Sequence, residues 1–111
     1  MRGQSRDEKL NKIWKLNSVE HLSGMGGLGD EMKLLDMRSE RQLTFEGGGR
    51  SETISYKVID QEIRLFDKEG NDLGQDIIWK IESLTINELT LVLIAREDNE
   101  KLVRLKYLAK G

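Results

Sequence analysis

Residues 53–66 read TISYKVIDQEIRLF, two alternating runs with only Asp60-Gln61 between them. Ile54, Tyr56 and Val58 fall on one side of the first run, and Ile63 and Leu65 on one side of the second. Period-two alternation of β-branched and aromatic residues is the pattern of a strand with one covered face. A two-residue link can join antiparallel neighbours, whereas parallel ones need a crossover of about a dozen residues. The stretch therefore predicts an antiparallel hairpin.

The same alternation extends in both directions. In NKIWKLNSV (11–19), Trp14, Leu16 and Ser18 share one side, against Ile13, Lys15, Asn17 and Val19. RQLTFE (41–46) pairs Leu43 with Phe45, and DIIWKIES (76–83) groups Ile77, Trp79 and Ile81. KLVRLKYLA (101–109) sets Val103, Leu105, Tyr107 and Ala109 against Leu102, Arg104, Lys106 and Leu108. LTLVLIA (89–95) is apolar almost throughout and reads as a strand covered on both faces or bordering a helix. EGGGRSE (46–52), DKEGND (67–72) and REDNE (96–100) carry the Gly, Asn and Asp of hairpin loops. From residue 41 onward no connection has room for a crossover helix, which gives a meander of about five or six strands. Before it, EMKLLDM (31–37) reads as a strand, preceded by a turn of helix or by none. A meander must hide its edges, and closure is the direct way. The expectation is an all-β, compact, antiparallel up-and-down barrel of about seven or eight strands.

A chain of 111 residues suits one domain, drawn at 11–111 behind a polar lead-in at 1–10. Hydrophobic residues at 37% with charged residues at 34% fit a globular chain rather than a disordered one. The net charge of −2, with both signs scattered, gives no electrostatic case for nucleic acid or an anionic membrane. Cysteine is absent, which removes disulfides, thiolate metal sites and a cysteine nucleophile. No apolar run approaches the ~18–20 residues of a membrane-spanning helix.

SGMGGLGDE (23–31) matches G-x-G-x-x-G through Gly24, Gly26 and Gly29. A dinucleotide site needs a helix opening on the pyrophosphate and a parallel strand beyond it. Here Asp30 and Glu31 stand where the anion would sit, and the strands downstream are joined as hairpins. The segment reads as a mobile loop between the first two strands.

His21, the only histidine, lies beside Glu20 and has no convergent partners to make a metal ligand of it. DKEGND lacks the twelve-residue frame of a calcium loop. The serines have no histidine placed by any motif, and no carboxylate pair can be assigned acid and base roles. The expectation is a non-enzyme without cofactor or metal. Trp14, Phe45, Tyr56, Trp79 and Tyr107 each lie on the more apolar side of a strand. They either fill the barrel as core or line a ligand cavity to which the indole N–H and phenol groups lend polar contacts. Arg104 either stacks on an aromatic near the barrel end or is solvated.

The succession IWKL, LTFEGGG, ISYKVIDQEIRLFD, IIWKIESLTINELTLVL and LVRLKYL resembles the lipocalin-like domains common in Bacteroidetes envelope proteins. The G-x-W of lipocalins is replaced by Lys12-Ile13-Trp14. The resemblance implies a precursor with a signal or lipid anchor, and a place in the periplasm or on the outer membrane as a lipoprotein. It implies no particular activity. Two functions follow as expectations. One is a barrel that binds a small apolar or amphipathic ligand at an open end, with the glycine-rich loop as a flap. The other is a filled barrel that serves as a protein-protein interaction module of the envelope, its partner unknown.

Overall fold

The structure is a computed structural model that describes residues 8–23, 32–39, 41–73 and 76–110. The glycine-rich segment falls on 24–31 and so lies outside the described residues, as does the proposed flap. After a 3-10 turn at Glu8–Leu10 come β1 (Ile13–His21), β2 (Leu34–Asp36), β3 (Gln42–Gly47), β4 (Arg50–Ile59), β5 (Glu62–Phe66), β6 (Ile77–Leu84), β7 (Glu88–Ala95) and β8 (Lys101–Ala109). Each strand pairs antiparallel with the next, and β8 returns to β1. The result is a closed, eight-stranded, up-and-down barrel, as the alternation predicts.

Turn chemistry follows the sequence. Asp60 and Gln61 both take positive φ (51° and 66°), the two-residue geometry whose twist matches the flanking strands. Gly48 and Gly49 (φ 60° and 79°) do the same between β3 and β4. In the longer β5–β6 loop, Asp67 accepts the N–H groups of Glu69 (2.9 Å) and Asn71 (2.8 Å) on one carboxylate oxygen. Asn71 Nδ2 donates to the other at 3.1 Å. These donors, those of Asn71 foremost, hold the Asp67 pKa below the usual aspartate value. The oxygens that could have suggested calcium are occupied by their own turn.

The covered faces meet inside the barrel. Trp14, Leu35, Leu43, Leu89, Leu91, Val103, Leu105 and Tyr107 retain no exposed surface. Leu10, from the polar opening stretch, and Met37, beyond β2, are fully buried with them. β7 is covered on both faces as LTLVLIA suggests: Leu91 and Leu93 point inward, and Val92, on the outer face, is 2% exposed.

One alternation is overturned. A bulge between Leu16 and Ser18 sets Val19 opposite Leu105 and His21 opposite Val103. Directly opposed residues share a face, so register sets Val19 on the Leu105 side rather than with Lys15, although it stays exposed and outside the core. A second bulge, between Ile81 and Ser83, brings Leu84 opposite Leu89 and into the core.

The two ends differ. One carries the Glu8–Leu10 turn, the β2–β3 link and the tight β4–β5 and β6–β7 turns. We refer to it as the capped end. The other carries the β3–β4 and β7–β8 hairpins and the β5–β6 loop, and forms the mouth. Towards the mouth two seams are short: β1 pairs with β2 only from Ile13 to Lys15, and β5 with β6 only at Glu62 and Ile63.

Candidate functional site

The five aromatic residues do not form one site. Trp14, Tyr56 and Tyr107 are buried, and each uses its polar tip on a backbone carbonyl. Trp14 Nε1 donates to Leu10 at 3.3 Å, which ties β1 to the 3-10 turn at the capped end. Tyr56 Oη donates to Ser39 at 2.8 Å and fastens the β2–β3 link to β4. Tyr107 Oη donates to Met32 at 2.7 Å, where the chain enters β2. Burial pushes the Tyr107 phenol pKa upward, because the phenolate would lose its hydration. A buried carbonyl left without its donor is costly, so these three tips hold the fold and are not spare contacts for a ligand.

Phe45 and Trp79 are different. Both face the interior and both are only half-buried. Their strands, β3 and β6, are not neighbours, yet the rings meet edge to face, with centroids 6.5 Å apart and planes at 68°. The contact therefore crosses the lumen. The Trp79 indole N–H has no hydrogen-bond partner among the described residues. Leu16 and Ile77 are likewise half-buried against the core. Beside Phe45, a hollow of about 220 Å³ is lined by Gly47, Arg50, Ser51 and Glu52. Cross-strand pairing of Phe45 with Glu52 puts both on the inner face of the β3–β4 hairpin.

Other sequence candidates are placed elsewhere. His21 is exposed at the mouth end of β1. Arg104 neither stacks on a ring nor stands free in solvent. Its Nε and Nη2 hold both oxygens of Glu82 at 2.6 and 3.1 Å, and its Nη1 reaches Glu20 at 2.7 Å. These bonds to Arg104 lower the Glu82 pKa and raise that of the guanidinium. On the outer wall a polar groove of about 390 Å³ runs between Asp36, Arg38, Ser39, Gln42, Thr44 and Thr53. Its groups are mutually bonded, with Arg38 forked onto Asp36 (2.9 and 2.7 Å) and the Thr44 and Thr53 hydroxyls 2.7 Å apart.

Residue type alone conceals Leu10 and Met32, which close the core from outside the regular strands, and Val19, which a bulge redirects. The sequence signal for the first two is an isolated apolar residue in a polar setting, too common to single them out.

Fold and site define a small up-and-down β-barrel with a tied-down interior and a half-buried aromatic pair. In comparisons with known families, curated proteins and solved structures, no match to the chain is found.

Proposed function

We propose that the barrel is a non-enzymatic, lipocalin-like binding protein of the cell envelope that takes a small apolar or amphipathic molecule at its mouth. The observation that supports this is the pair of half-buried rings meeting across the lumen, Phe45 and Trp79. Aromatic surface that remains wet gains about 25 cal/mol for each Å² that a ligand covers. Trp79 also keeps an indole donor in reserve for a polar group. Trp14, Tyr56 and Tyr107 would form the floor of the site rather than its contacts, since their tips are already bonded. A hollow of about 220 Å³ lies below the roughly 300 Å³ of ordinary small-molecule pockets and suits a slender chain better than a ring system.

A second reading rests on the same packing. With large side chains at zero exposure, much of the interior is filled by the protein itself, as in small barrels generally. Such a filled barrel would act as an interaction module, engaging a protein partner through its surface.

Native mass spectrometry, before and after incubation with a lipid extract of bacterial envelopes, separates the two. A discrete added mass that disappears in Trp79→Ala, while that variant stays folded, supports the ligand-binding barrel. A bare protein mass under every condition overturns it in favour of the filled module.

A further inference from the structure

The inner hollow beside Phe45 has an outer counterpart. A groove of about 410 Å³ runs along the other side of the same hairpin, lined by Lys15, Lys33, Leu34, Glu46, Gly47, Gly49, Arg50 and Ser51. Three of these residues, Gly47, Arg50 and Ser51, line both spaces, so the two adjoin at the tip of β3–β4. The register sets which residues face each side. Lys15, Leu34, Glu46 and Ser51 form one cross-strand row on the outer wall, while Phe45 and Glu52 pair on the inner face. Gly48 and Gly49 at the tip hold positive φ, and a Cβ at either would meet nothing within 4 Å. No side chain stands between the inner hollow and the outer groove at those positions.

The outer groove holds three cations, Lys15, Lys33 and Arg50, against the single carboxylate of Glu46. All three are exposed, and none makes an ion pair among the described residues. Elsewhere on the wall three arginines are matched: Arg38 with Asp36, Arg64 with Glu62 and Asp72, Arg104 with Glu20 and Glu82. The inner hollow holds Arg50 against Glu52, so the surplus of positive charge lies on the outer side.

We infer that the ligand is an anionic amphiphile, its negative head on Lys15, Lys33 and Arg50 and its apolar chain passed over the β3–β4 tip towards Phe45 and Trp79. This rests on the ligand-binding reading above and adds a chemical class to it. A carboxylate and a phosphate ester both satisfy the head site. The chain length and the head charge are recognised on opposite sides of one hairpin, so they are separable by mutation.

Dodecanoate, dodecyl phosphate, dodecanol and dodecyltrimethylammonium, each below its micelle concentration, are titrated into the full chain at pH 8 and followed by tryptophan fluorescence. The two anions are expected to bind about tenfold more tightly than the alcohol, the scale of a few exposed charge contacts, and the cation more weakly still. Whichever anion binds more tightly shows which head the groove prefers. In Lys15→Gln/Lys33→Gln, which leaves the lining of the inner hollow intact, the anions are expected to fall towards the affinity of the alcohol, whose own binding stays unchanged. The anionic preference of the unmodified chain is expected to shrink as salt rises. Equal binding of acid and alcohol by the unmodified chain overturns the head site and leaves the apolar site standing. Binding of none of the four overturns both.

Discussion

At the capped end Trp14 keeps no exposed surface, and its N–H is bonded to Leu10. Towards the mouth Trp79 is half-buried, and its N–H has no partner among the described residues. The two indoles sit on strands of the same barrel, both facing inward, so strand patterning alone does not separate them. The difference lies in what crosses the end. At Trp14 the chain runs back over the opening: Lys12 N–H bonds Leu10, Met37 N–H bonds Lys12, and Lys110 N–H bonds Ile13. The Lys12 ammonium lies 5.6 Å from the Trp14 ring centroid and donates to the Ile86 carbonyl of the β6–β7 turn. Among the described residues at the mouth, the β3–β4 hairpin runs straight through a two-residue glycine tip and folds nothing over the rings. One end is spent on stability, and the other keeps apolar surface in contact with water.

The largest effect should come from removing the buried indole. Trp14→Ala is expected to cost about 3–5 kcal/mol, the range for emptying a large core site. Trp79→Ala, which removes half-wet surface, is expected to cost about 1–2 kcal/mol. Urea unfolding of both variants checks the contrast directly. Equal losses would mean that Trp79 is as much a core residue as Trp14, and the distinction between the ends would fail.

Much of this arrangement is legible in the sequence, and the exceptions have one physical origin. Ile54, Tyr56 and Val58, like Val103, Leu105 and Tyr107, are named correctly as one face, because unbroken alternation leaves a two-fold choice that hydrophobicity decides. Val19 is misplaced because a bulge shifts the period by one residue and leaves no mark in composition. The five aromatics are recognisable as inward-facing, yet their division into tied and wet sets is not. It depends on whether a carbonyl from a distant turn reaches each tip, and the partner of Tyr107 lies 75 residues away. The Phe45–Trp79 contact is hidden for a related reason, since it joins strands that are not adjacent in the sheet.

The tied set can be tested one atom at a time. Tyr107→Phe keeps the ring and strips the donor from the buried Met32 carbonyl, at an expected cost of about 1–2 kcal/mol. The pH dependence sharpens the assignment. The folded-state pKa of Tyr107 is raised, so the unfolded chain gives up this proton more readily, and its ordinary pKa is about 10. The contribution is complete below pH ~10 and is lost as pH rises from there towards the folded-state value. The stability gap between the unmodified chain and Tyr107→Phe, measured by urea unfolding at pH 8 and again above pH 10, should therefore narrow. A constant gap would mean that the phenol is not the titrating group.

The smallest effect belongs to a third region, the outer wall where β8 closes onto β1. Arg104 pairs in register with Glu20 across that closing seam and reaches past β7 to Glu82 on β6, so a single side chain spans four strands. Its partners are exposed, at 56% for Glu20 and 38% for Glu82, and water screens most of the attraction. Glu82→Gln should therefore cost less than Tyr107→Phe, and the loss should shrink further at high salt. The sign with pH is opposite to that of the tyrosine. The Glu82 pKa is lowered in the folded state, chiefly by the Arg104 hydrogen bonds, so its contribution is present above the ordinary glutamate value of about 4.3 and fades as pH falls through the folded-state value. Thermal unfolding of the unmodified chain and Glu82→Gln should differ slightly at pH 7 and converge in acid. A difference that survives into acid would assign the role of Glu82 to packing over the outer face of β7, where Val92 lies covered, rather than to its charge.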